Sequence, residues 1–414
     1  MRTLRRLAAS AALGLAASAG AAPVRAQVLA PPDGSQLKVY LLTMGQGEAI
    51  WERFGHNALV IRDLRTNVGT AWNWGLFDFA APDFLTRFLT GDTRYWMAGD
   101  DFGRTIEAYR WMNRTLWLQE LAIPDSAKVA LAQAVAANAV GDAKYYRYDY
   151  FLDNCSTRVR DALDRAIGGA LRAQLARTPA GTTFRRETER LLEGMPLAAV
   201  GVDIALGRRA DAPLSQWEAA FVPMNLREAL RAVRVPDGAG GTRSLLVRDD
   251  VLFVASRPPE AANAPRLSLW TAVAGLALAT LLGLLGRAAP ASGTARGGLA
   301  LVGGAWSLVA GVIGLVLLLA ATVTRHVFWG MNANLLLFSP LSLVLAALVP
   351  LALLGGRGAA AARGVAAGVV LASAAGGLAA VLGGQPFAAT LALAAPVHAA
   401  LYWAVRRATL RGLA

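Results

Sequence analysis

A single cysteine, Cys155, stands in the run Asp153-Asn154-Cys155-Ser156-Thr157-Arg158. A lone cysteine most often fills a small gap in an apolar core. Here its neighbours are polar, and Val159, Leu163 and Ala166/Ile167 recur at helical spacing just beyond it, with Asp153 or Asn154 placed to cap the helix. The thiol therefore falls on a first helical turn, where free N–H groups and the macrodipole favour a thiolate. Arg158, one turn on, adds positive charge on roughly the same face.

A thiol nucleophile needs a base, and His56 in Phe54-Gly55-His56-Asn57-Ala58 is the one histidine ahead of the apolar C-terminal part of the chain. Asn73, in Trp72-Asn73-Trp74-Gly75, is the candidate third member that orients the imidazole across a hairpin, with Asp63 and Asp78 as rivals. Oxyanion stabilisation is expected from the backbone N–H groups of Cys155 and Ser156, with Asn154 or Arg158 in support. A second patch, His326 to Leu337 (HVFWGMNANLLL), lies between two apolar runs. It reads either as an interfacial anchor or as a substrate-binding patch built from His326, Asn332 and Asn334. His398 lies inside an apolar run, where a histidine is either functional or half of a helix–helix hydrogen bond.

Other chemistries find no support. One cysteine excludes an intrachain disulfide and a Cys-based zinc cluster, three histidines argue against a His-rich metal site, and no metal is expected. GxxxxGK[ST], HExxH, GxSxG and EF-hand patterns are all missing from the sequence. The formal charge of +13 does not imply nucleic-acid binding, because the arginines are scattered and many sit between apolar runs.

The elements that would position these groups are legible in outline. Leu37 to Thr43, Ala58 to Ile61 and Gly69 to Trp74 are expected strands, Asp83 to Leu89 a short helix, and Pro124 to Val140 a longer one. Thr105 to Leu121 carries unresolved strand or helix material. Tyr145 to Leu152 is expected to be an extended, aromatic-rich approach to the Cys155 helix. Ser244 to Val247 and Val251 to Val254 are expected to form a strand pair.

Mean hydropathy is +0.41, with 55% hydrophobic and 17% charged residues, too apolar for an ordinary soluble protein. Residues 1–26 have the basic start, Ala-rich apolar run and small-residue end of a cleaved export signal, with an uncleaved anchor as the alternative. Residues 27–265 have ordinary composition and are expected to form one exported domain. Residues 266–414 contain no acidic residue and carry five runs of spanning length, near 267–285, 298–323, 334–354, 364–382 and 387–405. Arg287, Arg296, Arg357, Arg363, Arg406, Arg407 and Arg411 fall in loops or ends on one side, against Arg325 in the opposite loops. That asymmetry puts the C-terminus in the cytoplasm and the N-terminal domain outside.

Together, Phe54-Gly55-His56-Asn57-Ala58, Asn73-Trp74-Gly75-Leu76-Phe77-Asp78-Phe79, Tyr148 to Arg158 and Asn332-Ala333-Asn334-Leu335-Leu336 resemble the Lnb family of bacterial lipoprotein N-acyltransferases. The resemblance implies an α+β fold: a permuted papain-like (NlpC/P60-like) thiol domain followed by an all-α transmembrane bundle. It implies Cys155 and His56 as the catalytic pair, and an inner-membrane protein with a periplasmic N-terminal domain. A membrane phospholipid would be the acyl donor and a diacylated apolipoprotein the acceptor, with no cofactor. A membrane-anchored cysteine hydrolase of cell-wall peptides and a non-enzymatic scaffold are the competing readings.

Overall fold

The computed structural model describes residues 33–410. The expected signal segment, residues 1–26, and Arg411 lie outside the described residues. By its internal contacts the chain divides into two units, Met1–Ala180 with Ser215–Pro259, and Gly181–Leu214 with Glu260–Ala414.

The first unit is built on a seven-stranded antiparallel sheet in the order β6-β4-β3-β2-β1-β5-β9. Its strands are β1 (Leu37–Met44), β2 (His56–Asp63), β3 (Val68–Leu76), β4 (Tyr95–Asp101), β5 (Leu116–Leu121), β6 (Tyr145–Tyr146) and β9 (Leu246–Phe253). A separate pair is formed by β7 (Arg234–Pro236) and β8 (Thr242–Ser244). The register sets His56 opposite Met44 and Asn73 opposite Ala58.

Five consecutive residues of β2, Asn57 to Ile61, are buried, because helices cover both faces of the sheet centre. On one face Leu42, Met44, Ala58 and Val60 pack with Phe102, Ile106 and Tyr109 of or beside α1 (Phe102–Trp111). On the other, Val39, Leu41, Leu59 and Ile61 share a core with α2 (Asp125–Asn138) and α3 (Cys155–Ala166). From α3, Val159, Ala162 and Leu163 enter that core at the spacing of one helical face. Full burial of Val159 and Leu163 contributes about 1.5–3 kcal/mol each, which seats the helix that begins at Cys155.

One open stretch is assigned and two local expectations are corrected. The unresolved stretch from Thr105 to Leu121 is the end of α1 followed by β5. The expected strand pair at 244–254 is one continuous strand, β9, on the sheet edge. Its interior charges Arg248, Asp249 and Asp250 broke the apolar pattern, and an edge strand tolerates them because one side faces water. The approach to Cys155 is extended only at Tyr145–Tyr146. Beyond it the Asp149 carboxylate accepts from the N–H groups of Phe151 and Leu152, both at 2.9 Å, and turns the chain.

In the second unit, five stretches are long and apolar enough to cross a membrane. They are α6 (Leu267–Ala288), α7 (Gly293–Val323), α8 and α9 (Asn334–Leu337 and Leu341–Leu354), α10 (Ala359–Gly383) and α11 (Ala388–Leu410), where α4 (Phe184–Leu191) and α5 (Pro196–Ala205) precede them in the chain. The third stretch breaks at Phe338 to Pro340, since Pro340 lacks an N–H and disfavours helical backbone before it. Gly314 of α7 lies against that break; a β-carbon there would fall 1.7 Å from the Phe338 carbonyl oxygen. Gly275 and Gly286 of α6 similarly lie against the α11 backbone, as close helix packing in lipid requires.

Within the Gly181–Leu214 segment, Arg185, whose side chain is 1% exposed, ties α4 to the end of α5 and the turn after it. Its guanidinium donates to Asp211 at 2.7 Å, to the Asp203 carboxylate at 2.9 Å and to the Leu206 carbonyl at 2.6 Å.

Candidate active site

Asn154 caps α3: its Oδ1 accepts from the Ser156 and Thr157 N–H groups, both at 2.9 Å, and Thr157 Oγ1 accepts from the Asn154 N–H at 2.7 Å. Such a cap stabilises a helix by about 1 kcal/mol and here fixes where Cys155 begins it. The thiol residue is 8% exposed. It abuts β3 at Gly75, where a bulge shifts the pairing between Trp74 and Leu76. Gly75 has φ +87°, and a β-carbon on it would meet Tyr148 Cε2 at 3.4 Å and Cys155 Cβ at 3.5 Å. Those distances are ordinary contact, so it is the left-handed backbone that calls for glycine there.

His56 opens β2, partly exposed, beside that same helix terminus. Asn73 Nδ2 donates to the Ala71 carbonyl at 3.1 Å, so its Oδ1 points at the imidazole, 3.1 Å from Nε2. The bond requires the proton on His56 Nε2 and leaves Nδ1 as the basic nitrogen. The two rivals for this role are engaged elsewhere. Asp63 pairs with Arg65 at 2.8 Å, and Asp78 accepts from the Ala80 N–H at 2.8 Å.

Strand and helix are also tied one residue along from each candidate. Asn57 Nδ2 donates to Ser156 Oγ at 3.0 Å, its Oδ1 accepts from Thr43 Oγ1 at 2.8 Å, and Ser156 Oγ donates to the Ala220 carbonyl at 2.6 Å. The backbone N–H of Asn57 faces the Cys155 sulfur. The start of the Cys155 helix and the His56–Asn73 pair therefore lie at the same end of the sheet.

Burial pushes the Cys155 thiol above its ordinary pKa, against the pull of the Asn57 and Ser156 N–H groups and the charge of Arg114. His56 is pushed down to about 4, first by burial and then by Arg114, with the Asn73 bond acting the other way. Both shifts favour the neutral thiol and the neutral imidazole, opposing the helix terminus, which favours the anion.

The expected supporting residues are engaged in building the loop. Ser156 N–H is held by the cap, and the Asn154 amide donates to the Tyr150 and Phe221 carbonyls, both at 3.0 Å. Arg158 forms a two-pronged pair with Asp153, one prong at 2.6 Å, and lies over the Tyr146 ring. The residue that the sequence did not disclose is Arg114, whose charge acts on both candidates. Nothing local marks it among many scattered arginines.

In the second unit, Asn332 Nδ2 donates to the Ile204 and Ala205 carbonyls at 2.8 and 3.0 Å, and Asn334 Nδ2 to the Asp203 carbonyl at 3.1 Å. Both amides clasp the end of α5. His326 stacks loosely on Trp329, ring centres 5.4 Å apart. A cleft of about 360 Å³ opens beside this clasp, lined by Leu317, Leu335, Leu336 and Ala379, with Arg208 and Gln385 at its polar part. His398 Nδ1 lies 2.7 Å from Ser373 Oγ, a bond between α11 and α10. Among the described residues no group of three or more His, Cys, Asp or Glu is arranged to hold a metal.

A strand-borne histidine and a helix-borne cysteine at one sheet end, in a chain that continues into long apolar helices, define a membrane protein with an α+β thiol-bearing domain. Residues 26–189 match the family model described as the Lnb N-terminal periplasmic domain, which puts this part of the chain in the Lnb family. It is a membrane protein with a periplasmic N-terminal domain. No curated protein and no solved structure matches it.

Proposed function

We propose that this protein is a thiol-dependent acyltransferase that moves a fatty acyl chain from a membrane phospholipid to the N-terminal amine of a diacylglyceryl-cysteine lipoprotein. The observation that carries the reading is the Asn73–His56 bond, which leaves Nδ1 as a base at the sheet end where Cys155 begins its helix. Cys155 attacks the ester carbonyl while its proton passes to His56. The S–C bond forms, the ester C–O bond breaks, and the proton returns to the departing alkoxide to give lysophospholipid. The acceptor amine then attacks the thioester, His56 takes its proton, and the thiol is regenerated. No diffusible cofactor enters this scheme.

Family membership supports an enzyme of this kind, and lipid-anchored substrates suit a chain with five apolar spans. The cleft beside Arg208 has the apolar wall and cationic rim that an acyl chain and a phosphate headgroup need. The loop-charge asymmetry supports a cytoplasmic C-terminus.

The test uses the full chain in membranes with a phospholipid bearing an alkyne-tagged acyl chain. A hydroxylamine-labile label on Cys155, lost in Cys155→Ala, and triacylated lipoprotein N-termini that depend on the protein are expected. Unlabelled Cys155 with unchanged N-termini overturns the reading; cleavage of cell-wall peptides in its place favours the hydrolase.

A further inference from the structure

Arg114 sits in the turn between α1 and β5 and is 5% exposed. Its Nε donates to the Gly45 carbonyl at 2.7 Å, and its guanidinium carbon lies 4.8 Å from the centre of the Tyr109 ring. That ring is nearly parallel to the His56 imidazole, 9° between planes and 6.4 Å between centres. Topology explains the proximity: Met44 is paired with His56 on one side and Leu116 on the other, so Arg114, two residues before Leu116, reaches the sheet end where His56 stands.

Two features set this arginine apart. Its Nη2 is buried and has no hydrogen-bond partner. No carboxylate pairs with the guanidinium among the described residues, unlike buried Arg160, Arg185 and Arg227. A buried cation with an unused donor is costly unless something supplies the missing acceptor. The Tyr109 face and the Gly45 carbonyl compensate for part of that cost and hold the fork still. What remains is a fixed positive donor in a largely solvent-excluded place, one ring removed from His56 and near enough for its charge to act on both His56 and Cys155.

We infer that Arg114 is the oxyanion-stabilising residue of this site, its free Nη2 donating to the acyl carbonyl oxygen of a carboxylic ester or thioester. This rests on the thiol-acyltransfer reading. As the Cys155 sulfur bonds to the carbonyl carbon and its proton moves to His56 Nδ1, the carbonyl π pair passes to oxygen, and Arg114 meets that charge. Collapse returns the pair to the C=O bond and expels the alkoxide, which takes the proton from His56. A rigid cation that strengthens its contact only as charge develops lowers the barrier to the step.

The test compares wild type with Arg114→Gln and Arg114→Lys in the full-length protein in detergent, with thermal melting as the fold control. The first readout is the pH dependence of Cys155 alkylation by iodoacetamide, which needs no acyl transfer. The second is the rate of thioester formation from an activated acyl ester. Arg114→Gln is expected to move the alkylation midpoint to higher pH and to slow thioester formation by about 10²–10³-fold in kcat with little change in KM. Arg114→Lys keeps the charge and loses the fork, so it restores the alkylation profile and leaves thioester formation slow.

An unmoved profile and a normal thioester rate in folded Arg114→Gln overturn the inference. If that variant does not fold, Arg114→Lys decides: normal alkylation with slow acylation supports the assignment, and normal values for both overturn it. The two proposals fail separately. Wild type that forms no thioester with any ester refutes the acyltransfer reading and, with it, the oxyanion role. A normal thioester rate in both variants refutes Arg114 alone.

Discussion

The Asn57 side chain donates to Ser156 Oγ at 3.0 Å, tying the residue after His56 to the residue after Cys155. The geometry of the candidate pair therefore depends on a buried polar clamp that touches neither reacting atom. Asn57→Ala removes the acceptor for Thr43 Oγ1 and the donor to Ser156. The expected result is a loss of about 1–3 kcal/mol in the stability of the sheet unit and weaker acyl labelling of Cys155. Thermal melting and probe labelling measured side by side check it; melting at the wild-type temperature would show that the clamp contributes nothing.

Asn73 fixes the tautomer of His56. Asn73→Ala lets the imidazole rotate and exchange its proton between nitrogens, so acylation is expected to slow by up to about 10²-fold while melting changes little. Single-turnover kinetics with an acyl ester measure this. A wild-type rate would mean that the Nε2–H bond does not orient the base.

The protonation states predict a pH response. His56 is lowered to about 4, whereas an exposed histidine titrates near 6.5. Between those values the unfolded chain binds a proton that the folded chain refuses, so stability falls as pH drops from about 6.5 to about 4 and the effect levels off below. His56→Gln should flatten that slope in a melting series. In the free protein, Cys155 alkylation should rise only above the ordinary thiol pKa of 9.0. Fast alkylation at pH 5 to 7 would instead reveal a standing thiolate–imidazolium pair.

Gly75→Ala confronts both a φ of +87° and the Cys155 β-carbon. The left-handed backbone alone costs an L-residue roughly 1–2 kcal/mol. A lower melting temperature and altered Cys155 alkylation are expected together, because relaxing the strained backbone would shift the bulge that packs on the Cys155 β-carbon.

Arg185→Met leaves the Asp203 and Asp211 carboxylates buried without their cation. Breaking such an arrangement costs about 3–5 kcal/mol. Limited proteolysis of the full chain should cut first within Gly181–Leu214, the segment whose two ends Arg185 ties together. An unchanged digestion pattern would mean that the apolar packing of α5 is sufficient by itself.

How much of this was legible in the residues differs from element to element. The helix at Cys155 was readable because a cap residue and an apolar stripe are local signals, and the sheet centre was readable from β-rich apolar runs. The β9 edge was misread as two strands because charges at an exposed edge look like a break. The turn at Asp149 was hidden inside an aromatic run whose composition resembles a strand.

Sequence by itself determined which groups were available for chemistry, where the Cys155 helix starts, and that the chain continues into five apolar runs. Those properties are written in neighbouring residues, through spacing, capping and hydropathy. Only the tertiary structure decided that Asn57 grips Ser156, that the charge of Arg114 reaches His56, that Gly181–Leu214 packs within the second unit, and that burial favours the uncharged thiol and imidazole. The physical reason is the same in each case: solvent exclusion and charge proximity arise from segments far apart along the chain, and no local pattern encodes how close folding brings them.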